Sequence, residues 1–274
     1  MPIPAAPSVV WIDRPERRDP SESAESQASD GNIAVLARPG ASVMVRGMLE
    51  LAHQPLSPFC RKIRLMLAEK GLAFSLKEEQ AWPPSDEVLR LNPAGTLPIL
   101  FDEDEAKDRL YVIAPASAIA EYLEECHPEP ALIPGTADER AECRRIVAWF
   151  DDKFHSEVTL NLLFEKLQKR VAGLGPPDMD AVREGLAYLD EHLTYLGSLA
   201  DERRWLAGDA FSLADITAAA HISAIDYLGD VPWWTHDVAK IWYTRVKSRP
   251  SFRPLLADRV PGLPPPRHYA DLDF

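Results

Sequence analysis

Apolar residues along this chain follow two rhythms. Leu49–His53 reads as a short buried strand, and Ser57 stands as an N-cap before Pro58 at the first helical position. Ile63, Leu65, Met66 and Leu67 then supply an apolar helix face up to Gly71, a helix stop. A second strand is expected at 74–77, a loop through Trp82-Pro83-Pro84, a short helix at 86–91, and strands at 97–101 and 110–113. A helix from Pro115 to Cys126 closes this α/β layer. The acidic stretch 102–108 reads as a solvated hairpin loop. After His127-Pro128-Glu129-Pro130 the rhythm changes to long amphipathic helices near 137–172, 179–199, 212–228 and 236–247. Strands followed by helices imply two packed domains and not one doubly wound sheet. The division is an extension at 1–47, an α/β domain at 48–127, a linker at 128–136, an all-α domain at 137–258 and an extended tail at 259–274.

The extension mixes proline with Ser, Glu and Asp, and such a composition cannot bury enough apolar surface to offset chain ordering, so it is expected to be disordered. A brief strand at 33–36 is cut by Pro39-Gly40, and Met44 or Met48 is an alternative start. With 274 residues, 46% of them hydrophobic, the chain can bury a sizeable core. Its formal charge of -13 argues against binding nucleic acid or an anionic membrane, so any partner must meet it through local basic patches. The three cysteines form no Cys-x-x-Cys pair or zinc cluster, the seven histidines show no metal spacing, and no metal is expected. No apolar run has the length to cross a bilayer and no export signal is visible, which points to the cytoplasm. Ser212-Leu213-Ala214-Asp215 is a capping box with Asp in the usual Glu place, and its expected job is folding.

Ser57-Pro58-Phe59-Cys60-Arg61-Lys62-Ile63-Arg64-Leu65, Asn92-Pro93-Ala94-Gly95-Thr96-Leu97-Pro98, Ala118–Leu123 and Trp205-Leu206-Ala207-Gly208 ahead of Ser212–Asp215 together resemble the glutathione transferase superfamily over about residues 49–258. The resemblance implies a thioredoxin-like N-terminal domain plus an all-α C-terminal domain, homodimerisation and, in the family's enzymes, glutathione as cofactor. It places Pro98 as a cis-proline that exposes the backbone of Leu97 to the cysteinyl part of glutathione. Locking that bond cis serves a tight turn with or without ligand. Ser57 falls where the enzymes keep the residue that lowers the glutathione thiol pKa, but a serine there also caps its helix, worth roughly 1 kcal/mol. Cys60 has no partner cysteine and reads as a buried apolar thiol.

Pro115 and Ala116 depart from the pattern. The family holds the γ-glutamyl end of glutathione there with an acidic residue and a serine. Two lost hydrogen bonds to charged groups, at about 1.5 to 3 kcal/mol each, weaken binding roughly a hundred- to ten-thousandfold. Ser117 is the residue that could compensate. Ser57, Leu97, Pro98, Pro115 and Ala116 thus form a vestigial glutathione site, and no cofactor is expected. Within the superfamily, Trp149–Phe154, Asp226–Trp233 and Tyr269–Phe274 resemble its FtsZ-localised branch of bacterial division proteins. That implies a non-catalytic adaptor at the division site which binds FtsZ filaments and helps couple them to septal wall synthesis. The alternative is a transferase conjugating glutathione to electrophiles through Ser57; a reductase working through Cys60 is the third option.

Partner contacts are expected on surfaces. Trp82 in its proline-rich loop is the leading aromatic candidate, ahead of Trp233 and Trp234. Glu165 and Lys166, with Lys169 and Arg170, make a charged turn suited to an acidic protein, or a solvated face. The prolines at 264–266 stiffen the approach to Tyr269–Phe274, where Asp271, Leu272, Asp273 and Phe274 form an acidic hook for a basic partner; the resemblance implies a wall-synthesis protein in that place. The competing expectation is that the hook folds back on its own domain.

Overall fold

The computed structural model describes residues 10–12, 49–80, 83–104 and 107–272. Strands β1 (Val10–Ile12), β2 (Leu49–His53), β3 (Phe74–Glu78), β4 (Ile99–Asp104) and β5 (Arg109–Ile113) form one sheet in the order β1-β5-β4-β2-β3. β2 and β3 are parallel, joined by the crossover helix α1 (Pro58–Glu69), and the other pairings are antiparallel. Leu51 and Leu100 face the main core with Ile63 and Ile119, whereas Ala52, Ile99 and Val112 turn to a smaller cluster with Val88 of α2 (Asp86–Leu91). The central strand β2 and the start of β4 are thus covered on both faces, whereas the edge strand β3 has no buried residue.

Two expectations need correction here. The extension is not wholly unstructured, because Val10–Ile12 pairs with Ile12 opposite Leu110; an aromatic between β-branched residues suits an edge strand. The expected strand at 33–36 lies outside the described residues. Asp102 is not loop: β4 runs on to Asp104, and the buried Asp102 carboxylate accepts a 2.6 Å hydrogen bond from Tyr122 Oη of α3 (Ala116–Cys126).

The helical domain begins with α4 (Ala137–Ala148), which continues without a break through a wide-turned segment, Trp149–Gln168, into α5 (Lys169–Val171). In the wide segment backbone bonding shifts to i→i+5 steps. α6 (Met179–Glu202) lies against it, and Gly185 permits the close approach, since a Cβ there would sit 2.6 Å from Asn161 Cβ. α7 (Leu213–Leu228) is buried all round and forms the axis of the domain. The capping box at its start is formed as expected, and Asp215 also accepts from Leu206 N–H (3.0 Å) and Trp242 Nε1 (2.9 Å) of α8 (Asp237–Lys247). Gly229 ends α7 in the left-handed region at φ 80°, where glycine avoids the Cβ penalty.

The two domains are joined through α1 packed on α7. Three cations of α1 are buried in this seam, a role their charge hid in the sequence. Arg64 forks onto Asp258 with bonds of 2.9 and 3.0 Å, and Arg61 reaches the same carboxylate at 3.1 Å while donating to Ser223 Oγ at 2.8 Å. Lys62 pairs with Asp151 of the wide segment. At the far end of α1, Arg249 forks onto Glu69 at 2.7 Å.

The tail folds back. After the short α9 (Arg253–Leu256), Tyr269 is fully buried, donates to Leu255 O at 3.2 Å and meets Tyr227 edge-on at 5.2 Å. Tyr269 is therefore an internal anchor and not a presented group, because its ring completes the core. Leu272 packs partly against the same core and Asp271 is exposed, while Asp273 and Phe274 lie outside the described residues.

Replacing Asp258 by Ala leaves two buried guanidinium groups without their carboxylate, and urea unfolding should register a loss of about 3 to 5 kcal/mol. A loss below about 1 kcal/mol is what a solvated surface pair would give instead.

Candidate functional site

A cleft of about 390 Å³ lies between the domains. From the α/β side it is lined by Ser57 and Phe59 at the start of α1 and by Pro84, Leu89 and Ala94–Leu97. From the helical side come His155, Thr159, Leu160, Phe164 and Gln168 of the wide-turned segment. Their steps of four to five residues follow the i→i+5 winding, which brings to one face residues that a 3.6-residue period spreads apart. A 3.6-residue periodicity therefore does not reveal this wall in the sequence. The lips are apolar and open, with Leu89 at 42% and Leu160 at 44% exposure from opposite domains.

The floor of the cleft is built for folding. Ser57 Oγ accepts from Cys60 N–H at 3.4 Å, the N-cap bond expected of it. The Leu97–Pro98 bond is cis, as the resemblance implied. Cys60 is fully buried, and burial pushes its thiol up to about 11 despite the help of Ser57 and Gln54. A thiol so far above neutrality is a poor nucleophile.

At the start of α3, the two positions where the family anchors the charged end of glutathione carry no polar side chain. Pro115 is the N-cap of α3, with no side-chain cap bond and no N–H to offer. Ala116 is buried at 3% exposure, a methyl where a hydroxyl is needed, and the first turn holds no acid. Ser117 is exposed and is the polar side chain left there. Ser57, Leu97 and Pro98 keep their places, therefore, while Pro115 and Ala116 supply no polar side-chain group.

Behind the wall sits a buried relay. His221 Nε2 lies 3.3 Å from Asp151 Oδ1, and His221 Nδ1 lies 3.4 Å from Thr159 Oγ1. Burial would raise Asp151, but His221 and Lys62 outweigh it and hold the carboxyl below its ordinary value. Phe59 packs edge-on to both His155 (4.9 Å) and His221 (5.4 Å), so the cleft wall rests on this relay.

The proposed partner residues are dispersed. Trp82 lies outside the described residues. Glu165 and Lys166 are not a free charged turn: Glu165 pairs with Lys169 at 2.7 Å and accepts from Asp178 N–H at 2.7 Å, and Lys166 pairs with Asp230 at 2.6 Å. The Glu165–Lys169 pair is an i,i+4 contact, whereas the Asp230 counter-charge of Lys166 comes from a loop that sequence spacing does not reveal.

Comparison with known proteins adds an independent view. The family profile described as the N-terminal domain of glutathione S-transferases matches residues 56–126. Over 224 residues the chain is 49% identical to FtsZ-localized protein A of Caulobacter vibrioides, a match spanning 82% of this chain and 97% of that protein. Among solved structures, FzlA from C. crescentus superposes with a TM-score of 0.81 at 48% identity, and a glutathione S-transferase from Rhodospirillum rubrum F11 with 0.78 at 52%. Each of these takes up 83% of this chain and all of its own.

His53 and His155 each carry a buried Nδ1 without a hydrogen-bond partner among the described residues. Burial first, then Arg64 for His53 and His221 for His155, lowers both to about 4 from 6.5. The unfolded chain binds more protons between those values, so their contribution to stability is complete above pH 6.5 and is lost as pH falls toward about 4. Urea unfolding across that range should show a slope of up to about 1.4 kcal/mol per pH unit for each histidine, reduced in His53→Gln. Iodoacetamide at neutral pH should leave Cys60 unmodified in the folded chain while labelling the partly exposed Cys126.

Proposed function

Because this chain belongs to the glutathione S-transferase superfamily, in the family of FtsZ-localized protein A, we propose that it is a non-catalytic division adaptor. In this reading it binds FtsZ filaments at the division site of the cytoplasm and helps couple them to septal wall synthesis. The observation that carries the proposal is the near end-to-end likeness to a relative whose name records localisation with FtsZ. The cleft supports it: a scaffold with open apolar lips and no polar side chain at Pro115 and Ala116 suits docking of protein better than capture of a charged tripeptide. Among the described residues there is no group of three or more His, Cys, Asp or Glu able to hold a metal, and no helix is long and apolar enough to cross a membrane.

Two copies joined as a homodimer would present each weak filament contact twice. The second contact then forms at the effective concentration set by the first, enough to gather filaments without any turnover. Trp82 and the terminal residues Asp271–Phe274 belong to this proposal as contact sites, the latter toward a wall-synthesis partner. Glu165 and Lys166 enter it as a rigid, internally braced turn.

The transferase reading keeps one observation on its side, the retained Ser57 at the mouth of α1. Sedimentation with polymerised FtsZ separates the two. Intact chain and Ser57→Ala should both pellet with polymer, and Leu160→Asp at the cleft lip should pellet at least about tenfold less strongly, since it places a charge in an apolar contact. Thiol conjugation that disappears in Ser57→Ala, together with no pelleting of the intact chain, would establish the enzyme instead.

A further inference from the structure

The tryptophan pair singled out in the sequence divides in the structure. Trp233 is buried, donates from Nε1 to Asp226 at 2.8 Å and stacks on Tyr243 at 4.9 Å. Trp234, the next residue, is 80% exposed. It stands at the head of α8, whose Val238 and Ile241 are 39% and 63% exposed. An indole this exposed, followed along the chain by two exposed aliphatic side chains, is the kind of residue on which contact energy concentrates when a partner covers it.

A groove of about 710 Å³ lies between α6 and the start of α8; Val238 lines it, and Thr235, the residue after Trp234, lines it too. Leu193, Gly197 and Val238 give it apolar walls. At Gly197 a Cβ would meet nothing nearer than Val238 Cβ at 4.0 Å, so the absent side chain leaves the floor open. Three carboxylates line the same groove: Asp190, Asp201 and Asp237. Asp190 is paired with His236 at 2.8 Å, whereas Asp201 and Asp237 have no hydrogen bond or ion pair among the described residues. Asp237 sits in the first turn of α8, where a helix welcomes an acid. Asp201 is different. It lies in the last turn of α6, which holds no basic residue, and there the helix dipole disfavours negative charge. The fold therefore gains nothing locally from Asp201.

We propose that this groove docks a basic, amphipathic segment of a partner protein, with aliphatic or aromatic side chains covering Trp234, Val238 and Ile241 and Lys or Arg reaching Asp201 and Asp237. Charge complementarity selects that occupant, because apolar contact supplies affinity and the unpaired carboxylates supply orientation. A second copy of this chain is a poor fit: a two-fold contact sets each patch against itself, carboxylates facing carboxylates, in a chain of charge -13. The groove shares no lining residue with the inter-domain cleft, so it is a second contact surface and does not depend on the filament-binding proposal.

The test uses the intact chain and a fluorescently labelled synthetic peptide of alternating Lys and Leu, with anisotropy as the readout. Saturable binding is expected, weakening about tenfold or more on raising salt and by a similar factor in Trp234→Ala and in Asp201→Asn. Asp201→Asn should leave thermal unfolding unchanged or slightly raised, so its loss of binding cannot be assigned to misfolding. The control Glu125→Gln, at an exposed acid of α3, should bind as the parent chain does. No saturable binding, or equal affinity in Trp234→Ala and Asp201→Asn, overturns the proposal. Self-association of the parent chain that is abolished by Trp234→Ala in sedimentation also overturns it, by giving the face to a second copy.

Discussion

One carboxylate holds this molecule in its working shape. Asp258, contributed by the end of the helical domain, receives the guanidinium groups of Arg61 and Arg64 from α1, which packs on α7. Buried ions are costly to place, and the cost is offset only where each finds its counter-charge with good geometry. The bidentate fork of Arg64, the Ser223 bond of Arg61 and the pairing of Lys62 with Asp151 meet that condition. The inter-domain cleft follows from it, because Ser57 and Phe59 begin the helix thus pinned and the wall facing them carries Asp151 on the same wide-turned segment.

Such a frame is suited to presenting a surface. In the enzymes of this fold the same seam must position a thiol and hold a charged tripeptide. Here the thiol-side geometry persists as helix capping while the other end of the site offers proline and a buried methyl. Apolar lips open on two domains remain, together with an independent groove at α6 and α8. If both faces dock partners as proposed, buried ion pairs would hold them in a fixed relation without moving parts.

Local chemistry was legible in the sequence where one residue decides one feature. Ser57 before Pro58 gave the cap, Ser212 and Asp215 the capping box, and Leu97–Pro98 the cis bond through its family resemblance. The strands and helices fell close to their expected bounds because burial on one or both faces imprints itself on spacing. What escaped was non-local. Arg61, Lys62 and Arg64 read as solvated charge, since their partners lie far along the chain. Asp102 looked like loop because its acidic neighbours concealed a strand closed by Tyr122. The cleft wall was hidden by a helical winding that a 3.6-residue period does not describe, and the tail, for which fold-back was the competing expectation, is decided by contacts of Tyr269 with Arg61, Tyr227 and Leu255 far back along the chain.

In the proposed reading the cleft keeps the fold's frame and has lost its grip on glutathione. Calorimetric titration of the intact chain with millimolar glutathione, read together with amide shifts at Ala116 and Ser117, addresses it most directly. The account predicts no saturable heat and no shift at the start of α3. Saturation with shifts centred on Ala116, Ser117 and Ser57 would contradict it.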